Sequence, residues 1–246
     1  MSRAFNAYAP LIAGIGFGLA LVSAVAAIGA GLGTRHELWN FRMGLMILRW
    51  SAYGGLAAMA VSLAGCVLAF RARSGIAPAL IGIILGVVLV AVPAFWLQKA
   101  RRVPPIHDIT TDTTDPPGFS SILPLRIKAS NPPDYGGPQI ATQQLRAYPD
   151  ITPLLSEIPP EAAFEMALAA SRRMKWKIID ADRAAGRIEA VDTTLWFGFN
   201  DDIVIRVKKN GDGSRVDIRS VSRVGISDVG TNAKRIRKFF REMGKK

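Results

Sequence analysis

Three groups of side chains have types and spacings that could do chemistry. Asp201 and Asp202 stand side by side, with Asp192 nine residues earlier. Two carboxylates in one pocket split their pKa values and can act as acid and base. Arg219, Ser222, Arg223, Asp228 and Asn232 straddle a predicted strand end and the start of the next helix. Backbone N–H groups at a helix N-terminus, joined by arginine, suit a phosphate, a lipid headgroup or a carboxylate. His107-Asp108 has the form of a metal-phosphohydrolase dyad.

Each group has a plainer structural reading. Asn200-Asp201-Asp202 falls between two strand candidates and reads equally as a turn. Arg219 and Arg223 can pair with Asp217 and Asp192 across a sheet, while Asp228 caps its own helix and competes with an incoming anion. A metal centre needs several ligands, and the chain has two histidines, His36 and His107, the first in a membrane loop. Asp108, Thr110, Thr111 and Asp112 suit backbone groups in turns. The sequence carries no Gly-x-Ser-x-Gly elbow, no phosphate-binding glycine loop and no dinucleotide fingerprint. Gly14-Ile-Gly-Phe-Gly18 lies inside an apolar run. No cofactor and no metal is expected, and no catalytic residue is assigned.

The elements that must carry these residues divide the chain in two. Three apolar stretches, about 8–33, 48–70 and 75–98, fill residues 1–102. A helix needs ~20 apolar residues to cross the ~30 Å hydrocarbon core. The pattern predicts three transmembrane helices, the first retained because its run is too long for a signal peptide. Gly14/Gly18 and Gly82/Gly86 are small-xxx-small pairs that let backbones approach. Pro93 is placed to kink the third span. Tyr8, Trp39, Trp50, Tyr53 and Trp96 fall near the interfaces. No Asp, Glu, Lys or His sits mid-span, which argues against a pump or ion-coupled transporter. Glu37–Leu48 reads as an interfacial amphipathic stretch. The one cysteine, Cys66, lies in the second span, so no intramolecular disulfide and no cysteine metal site can form.

Charge follows the same division. Residues 1–102 hold nine Lys/Arg and one acid, net +8, and residues 103–246 hold 22 and 18, net +4. The basic balance is largely a membrane-flank effect, so no nucleic-acid partner is expected. Arg3, Arg71 and Arg73 with the amino terminus face Arg35, Arg42, Arg49, Lys99, Arg101 and Arg102, and this count favours a cytoplasmic C-terminal domain.

Residues 103–158 hold most of the prolines. Proline fixes φ and extends its predecessor. Ile106, Ile109, Phe119, Ile122 and Tyr135 punctuate the segment, which predicts a non-helical strap lying on the folded domain. From residue 159 the pattern becomes regular. Pro159-Pro160-Glu161 opens a helix to about Met174. Strands follow at about Trp176–Asp182, Gly186–Phe197, Asp201–Lys209 and Ser214–Val224, the last two joined by an Asn210-Gly211-Asp212-Gly213 hairpin turn. Val216 and Ile218 point inward, and Arg215, Asp217 and Arg219 outward. A final helix starts near Asp228, with Ile236, Phe239 and Phe240 as its stripe and Lys234, Arg235, Arg237, Lys238 and Arg241 coating the rest. Trp196-Phe197-Gly198-Phe199 reads as a buried strand end or an exposed aromatic contact. The predicted class is a membrane protein: a three-helix transmembrane region plus an α+β two-layer sandwich of helix, four-stranded antiparallel sheet and helix over 159–246.

Several segments after residue 103 are familiar. They are Pro104-Pro-Ile-His-Asp-Ile-Thr-Thr-Asp-Thr-Thr-Asp-Pro-Pro117, Ile188-Glu-Ala190, Trp196-Phe-Gly-Phe-Asn-Asp-Asp-Ile-Val-Ile-Arg206, Val216-Asp-Ile-Arg-Ser-Val-Ser-Arg-Val-Gly225 and Asp228-Val-Gly-Thr-Asn232. Over about 103–243 the chain resembles the DUF1499 family. The resemblance implies an uncharacterised domain of bacteria and plastids with no established activity. Some members look secreted or lipid-anchored, with Cys-containing segments where this chain has His107-Asp108, and this tips the expected side of the domain to extracytoplasmic.

The expectation is therefore an integral protein of the bacterial inner membrane carrying a binding or assembly module. Its partners would be the bilayer itself, an anionic lipid or a membrane protein. The alternatives are a hydrolase or transferase using the Asp/Arg cluster, and an accessory subunit of a membrane complex. Arg219, Ser222, Arg223, Asp228 and Asn232 are the leading ligand residues, with Asp192, Trp196, Asp201 and Asp202 behind them.

Overall fold

The computed structural model describes residues 2–245, with side chains from Tyr8 to Lys245. Arg3's side chain and Lys246, both counted in the charge reading, lie outside that description. The chain forms two compact units: Met1–Gln98 with Leu195–Gly198, and Lys99–Thr194 with Phe199–Lys246.

In the first unit, α1 (Ser2–Arg35), α2 (Phe41–Ala72) and α3 (Ile76–Arg101) are long and apolar enough to cross a membrane. They pack through small residues. Gly16 and Gly82 close on Ser62, Gly65 on the Ala13 backbone, and Gly55 on Gly86. The predicted Gly82/Gly86 pair is thus at a helix contact, whereas Gly14 and Gly18 face open space. Steps of 100° put Gly16 on the other side of α1 from Gly14 and Gly18. The interfacial stretch predicted at Glu37–Leu48 is not separate. Asn40 accepts a hydrogen bond from the Met43 N–H (3.0 Å), and α2 then runs unbroken from Phe41. An N-cap at that position starts the helix about two turns before the apolar run. The helix α3 continues through Pro93 to Arg101.

The segment Leu195–Gly198 belongs to this unit, which corrects the strand expected to reach Phe197. The Trp196 indole N–H donates to the Ile28 carbonyl (3.3 Å) and lies where Gly31 carries no side chain. Arg35 Nη1 donates to the Leu195 carbonyl (2.6 Å).

The second unit is built on an antiparallel sheet. Its strands are β1 (Asp108–Thr110), β2 (Leu154–Ser156), β3 (Lys177–Asp182), β4 (Arg187–Thr193), β5 (Asn200–Asn210) and β6 (Gly213–Ser222). The order is β1-β6-β5-β4-β3, with β2 also on β6. Six strands replace the expected four because the strap supplies β1 and β2. Gly213 is needed there, since a Cβ would strike the Ser156 carbonyl of β2. The predicted hairpin turn is present, with Asn210 paired to Gly213 and Gly211 at φ +60°.

The strap also holds a short 3-10 turn, Leu123–Arg126, and a true helix, α4 (Gly137–Ala147), against the non-helical expectation. Pro138 sits in the first turn of α4, where a missing N–H does no harm. No proline then falls before Pro149, two residues past the helix end. Gln144 of α4 completes the sheet edge, accepting from the Thr110 N–H (3.0 Å) and donating to the Thr110 carbonyl (2.6 Å).

Two helices, α5 (Pro160–Arg173) and α6 (Thr231–Met243), cover one face of the sheet. Alternation along β4, β5 and β6 sends Ile188, Ala190, Ile203, Ile205, Val207, Val216 and Ile218 into this core. Trp176 and Phe239 stack at its centre, ring centroids 5.6 Å apart. Burying each such side chain contributes about 1.5–3 kcal/mol. The other face is not open to solvent: Asp217 is 0 % and Arg219 2 % exposed. The strap covers both, so the unit has three layers rather than the two expected.

Candidate functional site

The covered polar face is where most of the predicted chemistry-bearing residues fall. Asp202, Val204 and Arg206 of β5, Glu189 of β4, and Asp217 and Arg219 of β6 share it by period-two alternation. Above them lies a strap too rich in proline to form a sheet of its own.

Arg219 lies at its centre. Its Nε and Nη2 grip both oxygens of Asp108 (2.9 and 2.7 Å), and its nitrogens also donate to the Pro117 and Pro133 carbonyls (3.3 and 2.8 Å). The guanidinium lies over the rings of Phe119 and Tyr135, 5.2 and 5.6 Å from their centroids. Asp108 is therefore half of a buried ion pair, not a turn residue, and Arg219 is not paired with Asp217. Burial pushes the Asp108 carboxyl above the usual carboxylate range, against the pull of Arg219. Burial, aided by the Asp108 charge, pushes the Tyr135 phenol up to about 12.

Asp202 sits inside β5 rather than in a turn and is fully buried. It receives Arg223 through Nε (3.0 Å) and Nη2 (2.7 Å), and Arg126 of the strap through Nη1. Arg126 in turn donates to the Asn131 and Pro132 carbonyls (2.9 and 3.3 Å). Glu189, also fully buried, accepts three consecutive backbone N–H groups, Ser120 (2.8 Å), Ser121 (3.2 Å) and Ile122 (2.8 Å). A third cluster joins Asp217 to Arg206 (3.1 Å) and Arg215 (3.0 Å), which both reach Asp112 of the strap (3.4 and 2.6 Å). Asp112 also closes its own turn, accepting from the Thr114 and Asp115 N–H groups. Arg206 holds the exposed Asp115 carboxyl below the usual range.

The remaining candidates lie on the opposite, helix-covered face. Asp192 and Asp201 are cross-strand partners there, and Arg235 of α6 bonds both (2.9 and 2.5 Å). Burial alone would lower the Arg235 pKa, but Asp201 and Asp192 outweigh it and raise it. Asn232 donates to Ser222 Oγ (3.1 Å) and the His107 carbonyl (3.0 Å) and accepts from Ser220 Oγ (2.8 Å). Asp228 does not stand at the N-cap, which is Gly230, because α6 begins three residues later than its carboxylate. The carboxylate still bonds that helix start, accepting from the Gly230 (2.7 Å) and Asn232 (2.8 Å) N–H groups. Burial raises its pKa.

The five leading ligand residues thus divide: Arg219 and Arg223 under the strap, Ser222, Asp228 and Asn232 at α6. Asp192 and Asp201 lie across the sheet from Asp202, Arg219 and Arg223, so these five share no cleft. Trp196 belongs to the helical unit. Sequence reasoning missed Arg126, Glu189 and Gln144, which are long-range partners with no local pattern. It also placed Arg235 in the solvated coat, yet Arg235 is buried. Its spacing was a usable signal: Asn232, Arg235, Ile236 and Phe239 lie on one helical face. Among the described residues, no three His, Cys, Asp or Glu side chains are grouped to hold a metal ion. An open depression of about 380 Å³ lies elsewhere, lined by Leu155, Ser156, Glu157, Asn210, Asp212 and Gly213.

These features define a class: three helices long and apolar enough to cross a membrane, followed by an α+β domain with helices on one side of its sheet and a charge-bonded strap on the other. The chain matches the family described as "Protein of unknown function (DUF1499)" over residues 108–243 and belongs to that family. The match begins at the first residue of β1, so it includes the strap as well as the sheet. No curated protein matches the chain.

Proposed function

We propose that the chain is a membrane-anchored, non-catalytic binding or assembly module, its helices seated in the bacterial inner membrane and its C-terminal domain displayed on the extracytoplasmic side. The observation that supports this reading is the use made of the charged residues. Asp108 and Arg219 are buried and paired with each other, Asp202 is buried between Arg126 and Arg223, and Glu189 binds strap amides. A general acid or base must reach a substrate proton, and these groups are turned inward to hold a layer of the fold. The division of Asp192 and Asp201 from Asp202, Arg219 and Arg223 removes the shared cleft that the hydrolase or transferase alternative requires.

Purification of the full chain from native membranes in mild detergent, followed by mass determination, tests the proposal. The expected result is a stoichiometric lipid or membrane-protein companion that is lost when residues 103–246 are deleted. A bare monomer that turns over an ester or phosphoester, with turnover abolished by Asp202→Asn, would replace this reading with the enzymatic one. A protease that digests the domain only from the cytoplasmic side would reverse the proposed topology.

A further inference from the structure

One end of the sheet gathers three parts of the second unit. Asn131 of the strap donates from its backbone to Arg223 O (3.0 Å) and from Nδ2 to Ser222 O and Gly225 O (both 2.9 Å). The loop after β6 then bonds the start of the strap: the Asp228 N–H donates to Ile106 O (3.1 Å) and Ser227 Oγ to Pro104 O (3.4 Å). The strap's first residues, its Asn131 turn and the β6–α6 loop are therefore one connected surface.

That surface carries Ile127, 86 % exposed, and Ile226, 78 % exposed, the two barest large apolar side chains among the described residues of this unit. Leu123 and Leu125 are exposed in the 3-10 turn that precedes Ile127, while Ile122 and Arg126 are buried there. A single exposed isoleucine is ordinary. Two on loops that Asn131 ties together through its bonds to Arg223 and Gly225, one residue before Ile226, share one end of the sheet, and exposed apolar side chains grouped in this way mark an interaction surface.

The chain itself says what lies close to it. Pro104 follows Arg101, the last residue of α3, by three residues. Three residues span at most about 11 Å. Apolar groups of interfacial proteins bed about 5–10 Å into the headgroup region. The loop carrying Ile226, bonded to Pro104, is thus tethered within reach of the surface that α3 would leave.

We infer that Ile127 and Ile226, with Leu123 and Leu125, insert into the interfacial layer of the phospholipid bilayer that holds the chain's own helices. The inference rests on the membrane reading of α1–α3 and adds a second, peripheral contact to it.

Site-directed fluorescence tests it on the full chain in lipid nanodiscs. Cys66→Ala removes the one native cysteine. Single cysteines then replace Ile127, Ile226, Asp212 in the β5–β6 turn, and Leu63 in α2, each labelled with an environment-sensitive dye. The expected result is loss of emission at 127 and 226 with shallow spin-labelled phospholipid, no such loss at 212, and loss at 63 with deep spin label. Full quenching of 127 and 226 by aqueous iodide, with 63 still quenched in lipid, would overturn the inference and leave the spans intact. Shielding of 127 and 226 from both quenchers would overturn it in favour of a covering protein or second copy. Absence of lipid quenching at 63 would instead remove the membrane reading beneath it.

Discussion

The two faces of one sheet are closed by different physics. Under α5 and α6 the contacts are apolar, with Phe239, Trp176, Ile203 and Ile218 buried together. Under the strap they are guanidinium forks and carboxylates that reach backbone groups of a segment unable to make its own ladder. A helix satisfies its backbone internally and needs only an apolar stripe to dock. A proline-rich strap leaves its N–H and C=O groups open, and burying them demands partners. The Arg and Glu side chains of the sheet provide those partners, which explains charge on a face that alternation alone would assign to solvent.

Substitutions can break this comparison, and the effects descend in order. On the helix face, Phe239→Ala should destabilise the whole unit by about 3–5 kcal/mol, since a buried aromatic leaves a cavity. A denaturant midpoint on the detergent-solubilised full chain measures it, and every sheet amide should lose protection together. On the strap face, Arg219→Met should cost about 3–5 kcal/mol because Asp108 is left buried without its partner. Here amide exchange should rise first across residues 111–135, with the helix-face core lagging. Pairing Arg219→Met with Asp108→Leu should restore most of that loss, because replacing both partners of a buried pair by apolar groups is near neutral. A double variant as unstable as the single one would mean that the carbonyl bonds to Pro117 and Pro133 dominate instead. Glu189→Gln should cost about 1–3 kcal/mol, leaving one of the three strap amides poorly satisfied.

The smallest effects are those of pH. The hydrogen bond from Arg237 depresses the Asp150 carboxyl, and that from Ser121 depresses Asp180. Their contributions are present above the ordinary carboxylate range and are lost as pH falls through the depressed values. Burial raises Asp108 and Asp228, so their contributions are full below that range and are lost as pH rises through the raised values. A thermal-melting series from acid to neutral pH should therefore lose its acid-side fall in part with Asp150→Asn and flatten on the rising side with Asp228→Asn.

Much of this architecture was legible in the sequence. Long apolar runs gave the three helices, and Asn210-Gly211-Asp212-Gly213 gave the hairpin, because those signals are local. The alternation Ile203, Ile205, Val207 correctly identified the core face. The strap's strands were hidden because β1 and β2 are three residues each, too short for a period to show. Asp217 and Arg219 read as solvent-facing because nothing in β6 announces a segment about 100 residues earlier in the chain that covers them. Asp108 and Arg219 were each picked out as chemically able, yet their pairing depends on fold, not spacing. Asp201 and Asp202, adjacent in sequence, point to opposite faces by the same alternation that revealed the core.

The central claim is that the strap is a layer of the fold, held by buried charge. Hydrogen exchange of the Ser120, Ser121 and Ile122 amides in the intact chain tests it most directly. The account predicts protection close to that of β4, reduced selectively in Glu189→Gln. Exchange of these three amides at the rate of a free chain, while β4 and β5 remain protected, would contradict it.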